Sequence, residues 1–371
     1  MHFQIPRKNL LNPLKMVASV LEQRHTLPIL ANILIKVHNN KLHLTATDAE
    51  VEISYALPLE ASLGTENDGE TTVPGRKFFD IVRSLSDAEN IQFIQEAERA
   101  TIKSGHSRFK LSCLPAEDFP NSPQLEDTLI FKLPQRTLKE LLRQTSFAIA
   151  QNDVRYYLMG LCFDLLPEKL AVVATDGHRL ALATEDFNLE EKEPLQVIVP
   201  RKAVLELTRM LDEADEEVEI MIDKTHIKFT ISEQLSLSSK LIDGKFPDYY
   251  SVLPSNPEQV ALADVTKLKT ALTQASILSS DKYKGVKLVL SENLIKVSAR
   301  NPEQEEAEVE CEVDYNGESL EMGFNVAYLQ DALNSITTAE VALCFTDNNS
   351  SCLIKPKDID NVNHVVMPMR L

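Results

Sequence analysis

Ala174-Thr175-Asp176-Gly177-His178-Arg179-Leu180, near the middle of a 371-residue chain, admits two readings that lead to different proteins. An acid, a glycine free to take a left-handed backbone, a histidine and an arginine can form an acid/base pair beside an anion-binding group. The same letters also make a β-turn. Asp-Gly is a common turn dipeptide, and the apolar runs 170–174 and 180–183 on either side read as the strands of a hairpin. Local pattern favours the turn. A second fact points the same way: Ala46-Thr47-Asp48 stands 128 residues earlier, without Gly-His-Arg after it. The triplet is therefore a position in a repeat, and the repeat decides the fold.

Three segments open alike. Phe3-Gln4-Ile5-Pro6-Arg7-Lys8-Asn9-Leu10 is echoed by Phe131-Lys132-Leu133-Pro134-Gln135-Arg136-Thr137-Leu138 and, more weakly, from Val260 to Lys267. Each reads as a strand feeding a helix, with Asn9, Thr137 or Asp264 as the N-cap. Hairpins follow: 32–37 with 42–48, 160–164 with 170–176, and 285–290 with 294–300, aligned so that Leu42, Leu170 and Leu294 correspond. A second helix enters each copy after Thr72-Val73-Pro74, Ile198-Val199-Pro200 and Gly323-Phe324-Asn325, twice with proline where its missing N–H costs little. Strand-rich tails end each copy. Boundaries fall in the Pro-containing stretches 120–127 and 254–257, giving domains 1–125, 128–254 and 255–371, each of α+β class with two helices on a sheet.

Hydrophobic residues at 43% and charged residues at 25% describe a globular chain. No apolar run approaches a membrane span, and Met1-His2-Phe3-Gln4-Ile5-Pro6-Arg7 lacks a signal-peptide core, so a cytoplasmic protein is expected. Five scattered cysteines without a C-x-x-C pair, and eight scattered histidines, argue against a disulfide framework or a metal site. No phosphate-cradling glycine loop and no nucleophile elbow is present. Neither an enzyme nor a bound cofactor is expected.

A net charge of −18 argues at first against nucleic acid. Its distribution reverses that. The six expected helices (6–24, 74–84, 134–150, 200–211, 264–278 and 325–336) carry +9 together, leaving −27 on strands and loops. Basic residues such as Arg7, Lys15, Arg76, Lys77, Arg143 and Arg209 suit a helix-lined surface that holds a phosphate backbone without reading bases. The rest of the chain repels it.

These features resemble a known family, the bacterial DNA polymerase III β subunit, or replicative sliding clamp. The resemblance runs from Met1 to Leu371. It is carried by Thr26-Leu27-Pro28-Ile29-Leu30, Thr72-Val73-Pro74-Gly75-Arg76-Lys77-Phe78-Phe79-Asp80, Asp153-Val154-Arg155-Tyr156-Tyr157-Leu158, the opening stretch, Phe246-Pro247-Asp248-Tyr249, Asn301-Pro302-Glu303-Gln304-Glu305-Glu306-Ala307 and Val365-Val366-Met367-Pro368-Met369-Arg370-Leu371. It implies three repeated clamp domains per subunit, and a head-to-tail homodimeric ring with helices inside and β-sheets outside. Such a ring encircles double-stranded DNA without sequence preference and raises the processivity of replication. Its implied partners are the clamp loader, the DNA polymerase III alpha subunit, and other polymerases or repair proteins carrying a clamp-binding motif.

The resemblance also implies sites. DNA contacts fall on Arg24 and Asn152, with Tyr156 and Tyr157 near the inner rim, where they serve DNA or the core; Lys77, Arg201 and Lys202 join them on charge alone. The partner-peptide groove maps to Leu158, Thr175, Gly177, His178, Arg179, Leu180, Pro247, Val252, Asn325, Tyr328, Ser351, Val365, Met367, Pro368, Met369 and Arg370. Methionine and aliphatic side chains suit a groove that accepts many related peptides. The dimer interface sets Arg108, Phe109 and Leu111 against Ile277, Leu278, Glu303, Glu305, Glu306 and Glu308, an apolar centre with a charged rim. His106, Asn152, Tyr250 and Ser251 depart from the family pattern.

Overall fold

A computed structural model of the chain describes residues 1–22, 27–59, 68–86, 90–122, 124–187, 194–254, 257–280 and 284–370. The first repeat runs β1 (His2–Pro6), α1 (Arg7–Ala18), β2 (Asn32–His38), β3 (Lys41–Thr47), β4 (Val51–Pro58), β5 (Gly69–Pro74), α2 (Gly75–Ser84), β6 (Asn90–Glu96), β7 (Arg99–Ser104) and β8 (Ser107–Ser112). The second is β9 (Leu129–Pro134), α3 (Gln135–Thr145), β10 (Gly160–Leu166), β11 (Lys169–Thr175), β12 (Arg179–Asp186), β13 (Leu195–Pro200), α4 (Arg201–Met210), β14 (Glu217–Ile222), β15 (His226–Thr230) and β16 (Leu235–Lys240). The third is β17 (Gln259–Asp264), α5 (Val265–Ser276), β18 (Gly285–Ser291), β19 (Leu294–Arg300), β20 (Glu306–Asp314), β21 (Leu320–Asn325), α6 (Val326–Ser335), β22 (Glu340–Phe345), β23 (Cys352–Pro356) and β24 (Val362–Val366).

Each copy therefore has the same ten elements in the same order. Alternation sets the faces: β18 and β19 bury every second residue, and Val286, Leu288, Ile295 and Val297 join α5 and α6 in one core. In the first repeat the core centres on Phe93, stacked on Phe3 at 4.9 Å and edge-on to Phe78 at 5.9 Å.

Three sequence readings need correction. Asp264 does cap α5, accepting the Lys267 N–H at 2.8 Å, but Asn9 and Thr137 lie inside their helices, because strand passes into helix directly at Pro6 and Pro134. Arg7 is buried rather than displayed. Its guanidinium donates to the Val82 and Arg83 carbonyls, both at 2.9 Å, and so satisfies the end of α2, where a cation meets the negative end of the helix dipole. Third, the last copy is displaced by one residue. Leu44, Val172 and Val297 pair with Ile35, Phe163 and Leu288, so Leu42 and Leu170 correspond to Ile295, not Leu294; likewise Phe3 and Phe131 correspond to Ala261, not Val260.

The described residues divide into two compact units that cut across the repeats. One comprises 1–136 and 205–241. It contains a four-stranded sheet β1-β6-β7-β8 and an eight-stranded sheet β5-β2-β3-β4-β16-β15-β14-β9. The other, 137–204 with 242–371, contains a twelve-stranded sheet β13-β10-β11-β12-β24-β23-β22-β17-β20-β19-β18-β21. The central repeat is shared between them. Its β16 pairs with β4 of the first repeat, Leu237 opposite Ile53, and its β12 pairs with β24 of the third, Ala181 opposite His364.

Candidate functional site

The stretch 174–180 is a turn, and the fold builds it twice. Asp176 Oδ1 accepts the His178 and Arg179 N–H groups at 2.9 and 3.1 Å, while Thr175 Oγ1 donates to the Arg179 carbonyl at 2.6 Å and accepts the Gly177 N–H. In the first repeat Asp48 takes the Glu50 and Val51 N–H groups, and Thr47 repeats the bonds of Thr175. Gly177 and Ala49 occupy the same left-handed position, at φ of 85° and 77°. Asp176 Oδ2 is also engaged, by Arg179 Nε at 3.0 Å. Both carboxylate oxygens are thus committed to holding the turn and Arg179, which removes the general-base reading.

Two elements from different repeats meet at this turn, both within one compact unit. The β12–β24 ladder continues past its end, where the Met367 N–H donates to the His178 carbonyl at 2.9 Å. Beneath lies a cluster of Leu158, Leu180, Phe246, Tyr249, Leu353 and Val365, with Tyr157 and Leu253 packed against it. Above it Val252 and Met367 remain 43% and 45% exposed and His178 is open to solvent. An apolar floor with an apolar, solvent-facing rim can accept aliphatic and aromatic side chains of an extended peptide. Loop 247–252 is anchored by Tyr249, whose hydroxyl donates to the buried Asp164 carboxylate at 2.7 Å. Burial, then the bonding to Tyr250 and Asp164, pushes the Tyr249 phenol far up, so it stays a donor. Tyr250 lies over Tyr249 with ring centroids 4.3 Å apart, and the Lys169 ammonium sits 5.7 Å from the Tyr250 centroid.

Other expected groove residues serve the walls. Asn325 caps α6 by accepting the Ala327 N–H at 3.0 Å. Arg179 is mostly buried, with its guanidinium held by Asp176, by Asp331 at 2.6 Å and by the Phe147 carbonyl at 2.7 Å. Its flat face lies 4.4 Å from the half-buried Tyr328 ring. Met369 and Arg370 run on elsewhere: the Met369 N–H donates to the Gly323 carbonyl, and both line a cavity of about 820 Å³ with Lys287, Arg300, Glu306 and Glu308. Leu158, Leu180 and Val365 lie in the apolar cluster, Thr175 and Gly177 in the turn, Pro247 and Val252 on the loop and Met367 and Pro368 on the tail after β24; Ser351 adjoins β23, which carries Leu353.

Letters alone missed Phe246, Asp164 and Asp331. A signal for the last existed: the sixth residue of the second helix is acidic in every copy, Asp80, Glu206 and Asp331. Arg155 was also missed as a bracing residue. It holds Asp153 in a two-point ion pair, donates to the Asp176 carbonyl, and keeps the Asp153 carboxyl down at about 2.

Of the expected DNA contacts, Arg24 lies outside the described residues. Asn152 is exposed at φ 55°, Tyr156 is 54% exposed, and Tyr157 is half-buried and packs on the apolar cluster. Lys77 is exposed on α2 and Lys202 half-buried on α4. Arg201 is less available, since its Nε is buried without a hydrogen-bond partner. Between α1 and α2 a cavity of about 580 Å³ is lined by Lys15, Arg76, Arg83 and Phe79, a notch suited to phosphate.

Among the expected interface residues, Ile277 is 75% exposed beside Leu278 at the end of α5, whereas Leu111 is only 8% exposed and belongs to its own unit's core. Arg108, Glu303, Glu305, Glu306 and Glu308 are exposed and Phe109 half-buried. Among the described residues no helix is long and apolar enough to cross a membrane, and no cluster of histidine, cysteine or carboxylate side chains is placed to hold a metal ion.

Comparison with known proteins places this geometry in context. Three family models match in order: the DNA polymerase III beta subunit N-terminal domain over residues 1–123, the central domain over 132–248 and the C-terminal domain over 250–370. The chain is 47% identical to the beta sliding clamp of Pseudomonas aeruginosa and 45% identical to that of Escherichia coli K12, in each case over 371 residues and the full length of both chains. A crystal structure of the Pseudomonas aeruginosa clamp bound to griselimycin matches with a TM-score of 0.96 over all of both chains at 47% identity.

Proposed function

The chain belongs to the DNA polymerase III beta subunit family, the beta sliding clamps, and from that premise we propose that two copies close head to tail around duplex DNA. The ring is a replication processivity factor, three clamp domains per copy over 1–125, 128–254 and 255–371. It catalyses no reaction, works in the cytoplasm, and tethers polymerases through the groove at Leu158, Leu180, Val365 and Met367. A separate ATP-driven loader opens it, and basic helix residues, including Lys77 and Lys202, keep DNA central through phosphate contacts alone.

One observation carries the ring. At both junctions inside the chain, the strand after the hairpin of one repeat pairs with the last strand of the next: β4 with β16, and β12 with β24. Among the described residues, that leaves two strands of these kinds. One is β8, the edge of its sheet; the other is β20, which meets β17 only at Asp314 and Val313. A head-to-tail contact between β8 of one copy and β20 of another applies the same rule a third time, and in a closed ring every strand of these two kinds is paired.

The rule also specifies a register. Phe109 occupies the position of Leu237 and His364, and Ala307 that of Ile53 and Ala181, so Phe109 faces Ala307 of the second copy. Arg108 then stands opposite Glu308 and Lys110 opposite Glu306. Opposite charges meet pair by pair, which is the arrangement that stabilises antiparallel strands.

The decisive experiment loads the protein on nicked circular plasmid with a clamp loader and then linearises the DNA. The ring stays on the circle and runs off the line; equal retention on both refutes topological binding. The register is tested by oxidising a Phe109→Cys, Ala307→Cys double variant, which should form covalent dimers. The native cysteines are all buried, and a Phe109→Cys, Glu308→Cys pair, one residue out of register, should not cross-link.

A further inference from the structure

Three of the five N–H donors of the Arg179 guanidinium are engaged within the protein and the side chain is only 11% exposed, so it has little left to offer a peptide as a cation. Its bonds run in three directions: to Asp176 in its own turn, to the Phe147 carbonyl just past α3, and to Asp331 on α6. The first two belong to the central repeat and the last to the third. Tyr328, one turn before Asp331 on the same helix, has its ring centroid 4.4 Å from the guanidinium carbon. Through this one side chain the turn that carries Gly177 and His178 is fixed to the helix that carries Tyr328.

We infer that Asp331 is a positioning residue for the peptide groove: it holds Arg179, and through it the two walls, in the arrangement a bound peptide needs. This rests on the groove reading above and assigns a role to a residue outside the groove.

The repeat supplies an independent precedent. Asp331 is the sixth residue of α6, and Glu206 is the sixth of α4. Glu206, buried, accepts the hydroxyl of Ser19, which caps the end of α1, at 2.6 Å, and also Arg209 Nη1 at 2.7 Å. Ser19 stands twelve residues after the start of α1, and Phe147 twelve after the start of α3. At both junctions, then, an acid at one helix position reaches the end of the first helix of the preceding repeat. The link is direct from Glu206 and passes through Arg179 from Asp331. Only the second junction has a peptide groove beside it, and only there does the acid act through an arginine stacked on an aromatic wall residue.

Loss of the acid should leave the fold intact, since the Asp331 side chain is 43% exposed and the β12–β24 ladder remains. What changes is the fraction of molecules with the groove already formed, and apparent affinity falls by that fraction. Because the peptide still makes every contact once seated, the loss appears in the association rate.

The test uses the full-length protein and a fluorescein-labelled nonapeptide carrying two alternate leucines and a terminal phenylalanine, followed by stopped-flow anisotropy. Asp331→Asn should lower the association rate about fivefold with dissociation unchanged, Arg179→Lys should do the same because it loses the planar fork, and Asp331→Glu should recover most of the rate. Met367→Asp serves as the control for the groove. If the wild type fails to bind, or Met367→Asp binds as well as wild type, the groove reading itself falls and this inference with it. If Met367→Asp abolishes binding while Asp331→Asn associates at the wild-type rate, the groove stands and Asp331 has no positioning role. A fall confined to Asp331→Asn dissociation kinetics would equally overturn it, marking a direct contact.

Discussion

Replacing Ile277 by aspartate isolates the proposed ring junction from the fold that carries it. Ile277 is 75% exposed in the single chain, so the protomer depends little on it. Full burial of an isoleucine side chain is worth about 1.5–3 kcal/mol, and covering the exposed three-quarters therefore yields roughly 1–2 kcal/mol per junction. A carboxylate left unpaired there costs about 1–3 kcal/mol more. A two-copy ring has two such junctions, so Ile277→Asp should weaken it by roughly 4–10 kcal/mol, a thousandfold or more in dissociation constant. Sedimentation velocity from nanomolar to micromolar protein reads this directly: the wild type should sediment as a dimer where the variant is a monomer, with far-UV circular dichroism unchanged. A dimer of undiminished affinity across that range would refute the placement of α5's end in the junction. Leu111→Asp is the poorer experiment, because at 8% exposure Leu111 supports its own core and its loss confounds folding with association.

Gly177→Ala should cost about 1–2 kcal/mol by denaturant unfolding, because the left-handed backbone at φ 85° strains an L residue, and its Cβ, 2.8 Å from Arg155 Nη1, should displace that flexible side chain from the Asp176 carbonyl. Tyr249→Phe leaves the buried Asp164 carboxylate without its phenol donor and should cost about 1–3 kcal/mol by denaturant unfolding, with loop 247–252 loosened and peptide affinity reduced. His364 is buried against Ser335, and burial holds its imidazole down at about 3. The unfolded chain therefore takes up a proton near pH 6.5 that the folded chain refuses, so stability falls as pH drops from 6.5 toward 3, by about 1.4 kcal/mol per pH unit once below 6. Urea unfolding between pH 7 and 4.5 should show that slope, and His364→Gln should reduce it by one proton's worth.

Helices, hairpins and the repeat were legible because they rest on local period: 3.6 in the helices, 2 in the strands, and 128 residues between the two Ala-Thr-Asp triplets. What fails is register and sharing. Matching letters put Leu294 with Leu42, whereas hydrogen bonding and burial put Ile295 there, since the face toward the core and not the identity of one leucine sets a strand's position. No local pattern says that β16 joins β4 across some 180 residues, so three sequence domains appear as two compact units. Site residues follow the same division. The apolar floor, Leu158, Leu180 and Val365, was readable as such; Arg7 looked like a displayed helix cation and Arg179 like a groove residue, and only their carbonyl and carboxylate partners, distant in sequence, reveal them as internal fastenings.

The pairing of β4 with β16 also bears on synthesis. The edge of β4 is complete at Pro58, but its partner does not exist until Leu235 and beyond have left the ribosome. At about 5–20 residues per second that interval is roughly 9–35 s, during which a long strand edge stands open to any other nascent chain. Translation arrested before and after β16 would show the first compact unit acquiring protease resistance only in the longer nascent chain, and chaperone occupancy should peak between those two lengths. The covalent continuity that makes two of the junctions permanent is therefore purchased with a window of vulnerability in every round of translation, one that a protein built from self-contained domains would not have.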